Sequence, residues 1–199
     1  VRWCTLPGFT SPRFLQLRNA GCGISAGSLE ECTEDELWET HHAIMERLRM
    51  RETPPRLSQE ASTLDLKIEI ARRLLLECRL CGHRCGVNRL QGEAGICLLG
   101  SQAIVSEHFV QIAEEPPINP SLLLSLAGCG LRCRFCQQGY LLDPSGVAGR
   151  HLTPSLWSDL RPKGARSLSF IGGNPDESLY AILQFLRSGP SHWKLPTVW

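Results

Sequence analysis

Apolar positions keep a helical period over some stretches of this chain and collapse into short continuous runs over others. Thr33-Glu-Asp-Glu36 places a hydroxyl at an N-cap and a carboxylate three residues on, the signature of a capping box. Leu37, His41, Ile44 and Leu48 follow at four-, three- and four-residue steps, one face of a helix. The helix is expected to end before Pro54-Pro55, because proline supplies no amide donor and disfavours helical backbone in the residue ahead of it. A second helix is expected from Ser62 or Thr63, with Leu64, Ile68, Ala71, Leu75 and Cys78 on one face. Residues 1–30, interrupted by Gly8, Gly21, Gly23 and Gly27, sustain no period.

The second half reads differently. Residues 101–109 alternate loosely, as a short strand or hairpin arm does, and Glu114-Glu-Pro-Pro117 is a break. Residues 122–127 form an apolar run closed by Gly128, which suits a strand buried on both faces. Thr153-Pro154 predicts a short helix running to Arg161. Residues 167–171, ended by Gly172-Gly173, give a second buried strand. A helix over 178–187 presents Leu179, Ile182, Leu183 and Leu186 on one face, and Pro196-Thr-Val-Trp199 starts a third strand. Strands alternating with helices in this way predict an α/β fold with a parallel sheet and right-handed crossovers.

Composition narrows the possibilities. The net charge is +1, from 21 Lys and Arg against 20 Asp and Glu. That excludes a strongly basic nucleic-acid binder, so no nucleic-acid partner is expected. No apolar stretch approaches the ~18 residues of a membrane span. Val1 is followed by no secretory leader, so no membrane association and a cytoplasmic location are expected. Ten cysteines are present and seven of them sit in two tight groups, which reads as metal binding and not as a disulfide framework.

The downstream group, Cys129-Gly-Leu-Arg-Cys133-Arg-Phe-Cys136, puts three thiols on one loop directly after a buried strand. Three thiolates can hold three corners of a cubane iron–sulfur cluster and leave the fourth iron open. The competing reading is a zinc site that borrows His108 or His151. The upstream group, Cys78-x2-Cys81-x3-Cys85-x11-Cys97, offers four thiols, with Gly82, Gly86, Gly92 and Gly95 to let the backbone wrap a metal. It suits a structural zinc knuckle or an auxiliary iron–sulfur cluster, with His83 either replacing one cysteine or exposed. Cys4, Cys22 and Cys32 share no metal spacing and read as structural thiols. Arg132 and Arg134 are either counter-charges for a cluster or solvated; Glu114-Glu115 is an acid pair or a solvated one; Trp193 and Trp199 read as packing residues.

These residues carry a family resemblance. Cys129-x3-Cys133-x2-Cys136, with Phe135 ahead of the last cysteine, resembles the signature loop of radical S-adenosylmethionine enzymes. Together with Cys78-x2-Cys-x3-Cys-Gly-Val-Asn-Arg89, Glu114-Glu-Pro-Pro117 and Gly128-Cys-x3-Cys-x-Phe-Cys-Gln137, it makes residues 64–199 similar to the pyruvate formate-lyase activating enzyme-like branch. The resemblance implies a partial, incomplete parallel β/α barrel over 101–199, apparently truncated at its C-terminus, behind a Cys-rich metal-binding segment over 61–100 and an N-terminal helical or irregular segment over 1–60.

It also implies that Cys129, Cys133 and Cys136 bind a [4Fe-4S] cluster whose fourth iron chelates S-adenosyl-L-methionine. An electron from a flavodoxin or ferredoxin would cleave that molecule and yield a 5′-deoxyadenosyl radical. The radical would take hydrogen from an unidentified substrate, a protein being one candidate and glycyl-radical activation the reaction the branch's name suggests. Gly172-Gly173-Asn174 stands where the family has a Gly-Gly-Glu-like turn touching the amino group of S-adenosylmethionine. Asn174 lacks the charge, and Asp176 is the candidate to compensate. A non-catalytic zinc-binding module and an electron-transfer iron–sulfur protein stay open as other classes. An eight-unit barrel takes ~250 residues, and residues 122–199 hold about two and a half units, so a fragment of a longer enzyme is expected.

Overall fold

The computed structural model describes residues 12–50, 52–113 and 115–198. Cys4, Gly8, Glu114 and Trp199, singled out above, lie outside them. The weakly patterned N-terminal stretch holds two elements that its sequence does not announce, α1 (Arg13–Asn19) and β1 (Gly21–Ser25). A capping box then starts α2 (Glu34–Arg49) at Thr33: Glu36 N–H bonds the Thr33 hydroxyl at 3.3 Å, and the Glu36 carboxylate accepts Thr33 N–H at 2.7 Å. Leu37, Ile44 and Leu48 are buried, His41 is half-buried, and the helix stops ahead of Pro54 as expected.

β2 (Glu60–Ser62) pairs antiparallel with β1, Gly21 opposite Ser62. Side-chain alternation could not reveal this ribbon, because Gly21 leaves its place to the Glu60 carboxylate: a Cβ there would lie 2.5 Å from it. Ser62 caps α3 (Thr63–Leu76) with Asp65 as its reciprocal partner. The buried face of α3 is Leu64, Leu66, Ile70, Ala71 and Leu75, with Ile68 at its margin. Cys78 is buried but lies past the end of the helix, so the expected apolar face stops short of it.

The main sheet comprises β3 (Ile104–Gln111), β4 (Ser121–Leu126), β5 (Arg150–His151), β6 (Ser167–Gly172) and β7 (Thr197–Val198), in spatial order β5-β3-β4-β6-β7. β4 runs parallel to β6, from Ser121 opposite Ser167 to Leu126 opposite Gly172, and β6 runs parallel to β7. The parallel half follows the alternation read from the sequence. β3 adds itself antiparallel to β4 and carries β5 on its other edge. The helix expected from Thr153 to Arg161 is only a 3₁₀ turn, Pro154–Ser158. The Thr153 hydroxyl pairs with the Ser155 hydroxyl at 2.9 Å instead of capping an amide, Asp159 is drawn to Arg150, and Pro162 supplies no donor to extend the turn.

The larger core lies between the sheet and α4 (Leu179–Arg187). Leu122, Leu124 and Leu126 of β4 and Phe170 of β6 meet Ile182 and Phe185, and the Trp157 ring stacks on Phe185 at 4.1 Å. Phe14 and Leu15 of α1 enter the same core, so residues before 60 pack into the body that carries the sheet. Trp193 is buried there too. A second core joins α2 and α3 to Leu183 of α4. No helix among the described residues is long and apolar enough to cross a membrane.

Candidate metal and cofactor site

The upstream cysteines are free thiols on a segment whose sole regular element is the 3₁₀ turn Arg89–Gln91. The chain doubles back on itself here: Cys78 N–H bonds Val87 O at 2.9 Å, and Gly86 N–H bonds Cys78 O at 3.2 Å. Cys81 accepts the amide of His83, and Cys97 accepts the amide of Leu99, each a sulfur held by the second residue after it. Cys78 lies within electrostatic range of both Cys81 and Cys97, and Cys85 within range of Cys81. The four thiols therefore share one neighbourhood. Burial pushes the Cys81 and Cys97 thiols up, since a thiolate loses its water there. Gly95 is obligatory: a Cβ would stand 2.7 Å from Cys85 Sγ.

Arg89 closes the Cys78-x2-Cys-x3-Cys-Gly-Val-Asn-Arg89 stretch, but its spacing gives it no role. Its side chain is 2% exposed, a rare state for an arginine. Nε and Nη2 donate to Gly100 O at 3.0 and 2.7 Å, Nη2 also donates to Glu177 O at 2.8 Å, and Nη1 lies 3.9 Å from Cys78 Sγ. A guanidinium fixed against the thiols is a ready counter-charge for thiolates.

The three-cysteine loop leaves β4 through Gly128, whose φ of +87° and whose neighbour, the Leu99 side chain 2.5 Å from any added Cβ, both demand glycine. Gly128 N–H bonds Leu141 O at 2.7 Å and closes the base of the loop. Cys129 is half-buried and Cys133 and Cys136 are exposed, the last two joined by a turn in which Cys136 N–H bonds Cys133 O at 3.1 Å. Leu131, Phe135 and Tyr140 give the loop an exposed apolar rim.

Gly130, between the first two cysteines, is held on both sides. Its amide donates to both carboxylate oxygens of Glu177 at 3.1 and 2.9 Å, and its carbonyl accepts from His83 Nε2 at 3.0 Å. His83 thus turns to Gly130 and ties the two cysteine segments together. Arg132 adds a second tie, donating to Ile96 O at 3.0 Å, while Arg134 is exposed.

Gly172, Gly173 and Asn174 end β6 beside the start of this loop. Gly172 has φ +93°, and a Cβ on it would meet Leu126 O at 2.6 Å; one on Gly173 would meet Gly128 O at 2.0 Å. The close approach these glycines allow is between two strand ends. Asn174 caps the following 3₁₀ turn, accepting from Asp176 N–H at 3.4 Å, and Asp176 is exposed. Glu177, on that turn, had one sequence signal, an acid in the first turn of an element starting at Pro175. His108 stands in mid-strand opposite Leu124, and His151 is exposed at the sheet edge. Among the described residues no three His, Cys, Asp or Glu side chains stand in ligating geometry.

No family model and no solved structure matches the chain. It is similar to Uncharacterized protein MJ0674 of Methanocaldococcus jannaschii, 29% identical over 184 residues that cover 83% of this chain and 51% of that protein. The chain spans about half the length of this curated relative, whose name assigns no activity.

Proposed function

We propose that the chain is the cluster-binding part of a radical S-adenosylmethionine enzyme, with Cys129, Cys133 and Cys136 as ligands of a [4Fe-4S] cluster. The observation that carries this reading is the placement of three free thiols on one loop at the C-terminal end of the parallel strand β4. Parallel α/β folds collect their chemistry at that end. The donor set fits the group, because soft thiolates select iron–sulfur clusters and the exposed Cys133 and Cys136 are free to draw inward. When bound, the cluster and its cosubstrate supply one-electron reductive cleavage of S-adenosylmethionine and hydrogen abstraction from a substrate.

The chain's own share is positioning. Glu177 and His83 hold the Gly130 backbone, so Cys129 and Cys133 project from a fixed point. The Gly172-Gly173-Asn174 turn forms the adjoining wall; Asn174 brings no charge, so contact with the cosubstrate's amino group falls to backbone and carboxamide oxygens. Cys78, Cys81, Cys85 and Cys97 form a structural site, zinc in preference to a second iron–sulfur cluster, because four thiols, two of them with N–H···S support, suit a closed tetrahedron. Arg89 balances its charge. A flavodoxin or ferredoxin donor, a cytoplasmic location where thiols stay reduced, and a protein substrate of the glycyl-radical kind belong to the same reading.

The test is anaerobic reconstitution followed by iron, sulfide and zinc analysis, then reduction with S-adenosylmethionine present and assay for 5′-deoxyadenosine. Iron and sulfide lost in Cys133→Ala, with cleavage by the parent, support the proposal. Zinc in both cysteine groups would make the protein a non-catalytic zinc module. A cluster without cleavage would make it an electron carrier.

A further inference from the structure

α1, α2, α3 and α4 line a half-open pocket of about 340 Å³ that reaches β7 at Thr197 and includes no cysteine. Its wall is aliphatic and aromatic except for three basic residues, Arg13, His41 and Lys67, and for Thr197, and no carboxylate lines it. Lys67 Nζ stands 2.7 Å from His41 Nε2. An ammonium only donates, so His41 accepts at Nε2 and carries its own proton on Nδ1. That Nδ1 is buried with no partner, and so is Arg13 Nη1. Among the described residues Arg13 Nη1 and His41 Nδ1 therefore lack an acceptor, and Lys67 has the neutral His41 ring as its acceptor, all three residues lining one largely apolar pocket. Such groups are ordinarily satisfied in a folded protein, by protein, ordered water or a ligand.

We propose that this cavity binds an amphipathic carboxylate, a medium-chain fatty acid in its chemistry, with its head group between Arg13, His41 and Lys67. The guanidinium fork matches a carboxylate in shape as well as charge. One negative charge suits a site whose remaining wall is apolar apart from Thr197. The volume sits at the low end of the ~300–1,000 Å³ of small-molecule sites, room for a short aliphatic body. The Lys67 ammonium is brought down to about 8 by burial and by the Arg13 charge, a repulsion that an anion between the two would relieve. The inference is independent of the chemistry assigned to the cysteines.

The chain is titrated with octanoate, with 1-octanol and with inorganic phosphate. Thermal stability and the fluorescence of Trp38, which lines the cavity, are the readouts. Octanoate is expected to bind saturably and raise the melting temperature, with octanol weaker by about tenfold or more because it leaves the charge unmatched, and phosphate without effect. Arg13→Gln should weaken octanoate by about tenfold while leaving octanol unchanged. Lys67→Gln is the second variant should Arg13→Gln lose its circular dichroism spectrum. Equal binding of octanoate and octanol, no binding by either, or binding of phosphate alone overturns the proposal.

Discussion

The Glu177 carboxylate, 1% exposed, accepts the single amide hydrogen of Gly130 on both of its oxygens. The bond spans 47 residues and joins the turn after β6 to the middle of the three-cysteine loop. Glu177→Ala orphans the Gly130 amide in a buried place, at a cost of about 1–3 kcal/mol. Glu177→Gln keeps one acceptor and should lose less. Chemical denaturation gives the order, and iron content after reconstitution should fall in the same order. Equal stability of all three forms would remove the clamp from the account.

The two cysteine groups should respond differently to substitution. Cys133→Ala removes an exposed side chain, so stability is expected to hold within about 0.5 kcal/mol while iron loading is lost. Cys81→Ala opens a structural site, and metal binding in small modules is worth about 10 kcal/mol or more of folding free energy. Limited proteolysis should then show the segment from about Leu76 to Leu98 unfolded. A Cys81→Ala protein that keeps its fold but loses iron and electron transfer would make the upstream site a redox cluster.

Gly173→Ala places a methyl group where Gly128 O stands 2.0 Å away, and backbone cannot swing aside as a side chain can. Parting the ends of β4 and β6 should cost about 1–3 kcal/mol and displace Cys129 with them. Urea midpoints and iron content of the variant check both effects; an unchanged midpoint would mean that the strand ends are looser than described.

His41 makes stability pH-dependent in a defined window. Burial first, then the charges of Lys67 and His42, lower its imidazolium to about 4 from 6.5. Between those values the unfolded chain binds a proton that the folded chain refuses. Stability therefore falls as pH drops from 6.5 to 4, by about 1–2 kcal/mol after allowance for screening at a half-exposed ring. Carboxylates such as Asp65, also lowered in the fold, add their loss at still lower pH. Melting temperatures across this range should slope less in His41→Gln, and an unchanged slope would assign the effect elsewhere.

Local order was legible in the sequence wherever neighbours along the chain supply the partner. The capping box at Thr33 closes within four residues, and the helix period of Leu37, Ile44 and Leu48 needs only one buried side. The apolar run in β4 was readable because a strand covered on both faces has no polar position to confuse it.

What the tertiary structure alone decided is which distant groups share a dry place. β1 and β2 pair through Gly21 and Glu60, residues that neither alternate nor favour strands. No local pattern gives Arg89 or Glu177 a partner, yet backbone carbonyls and an amide up to 88 residues away take the place of their water. His83 reads as a spare ligand, but its partner Gly130 lies 47 residues on. A buried charge is stable only where the whole fold delivers its partners together, and no local pattern records that delivery.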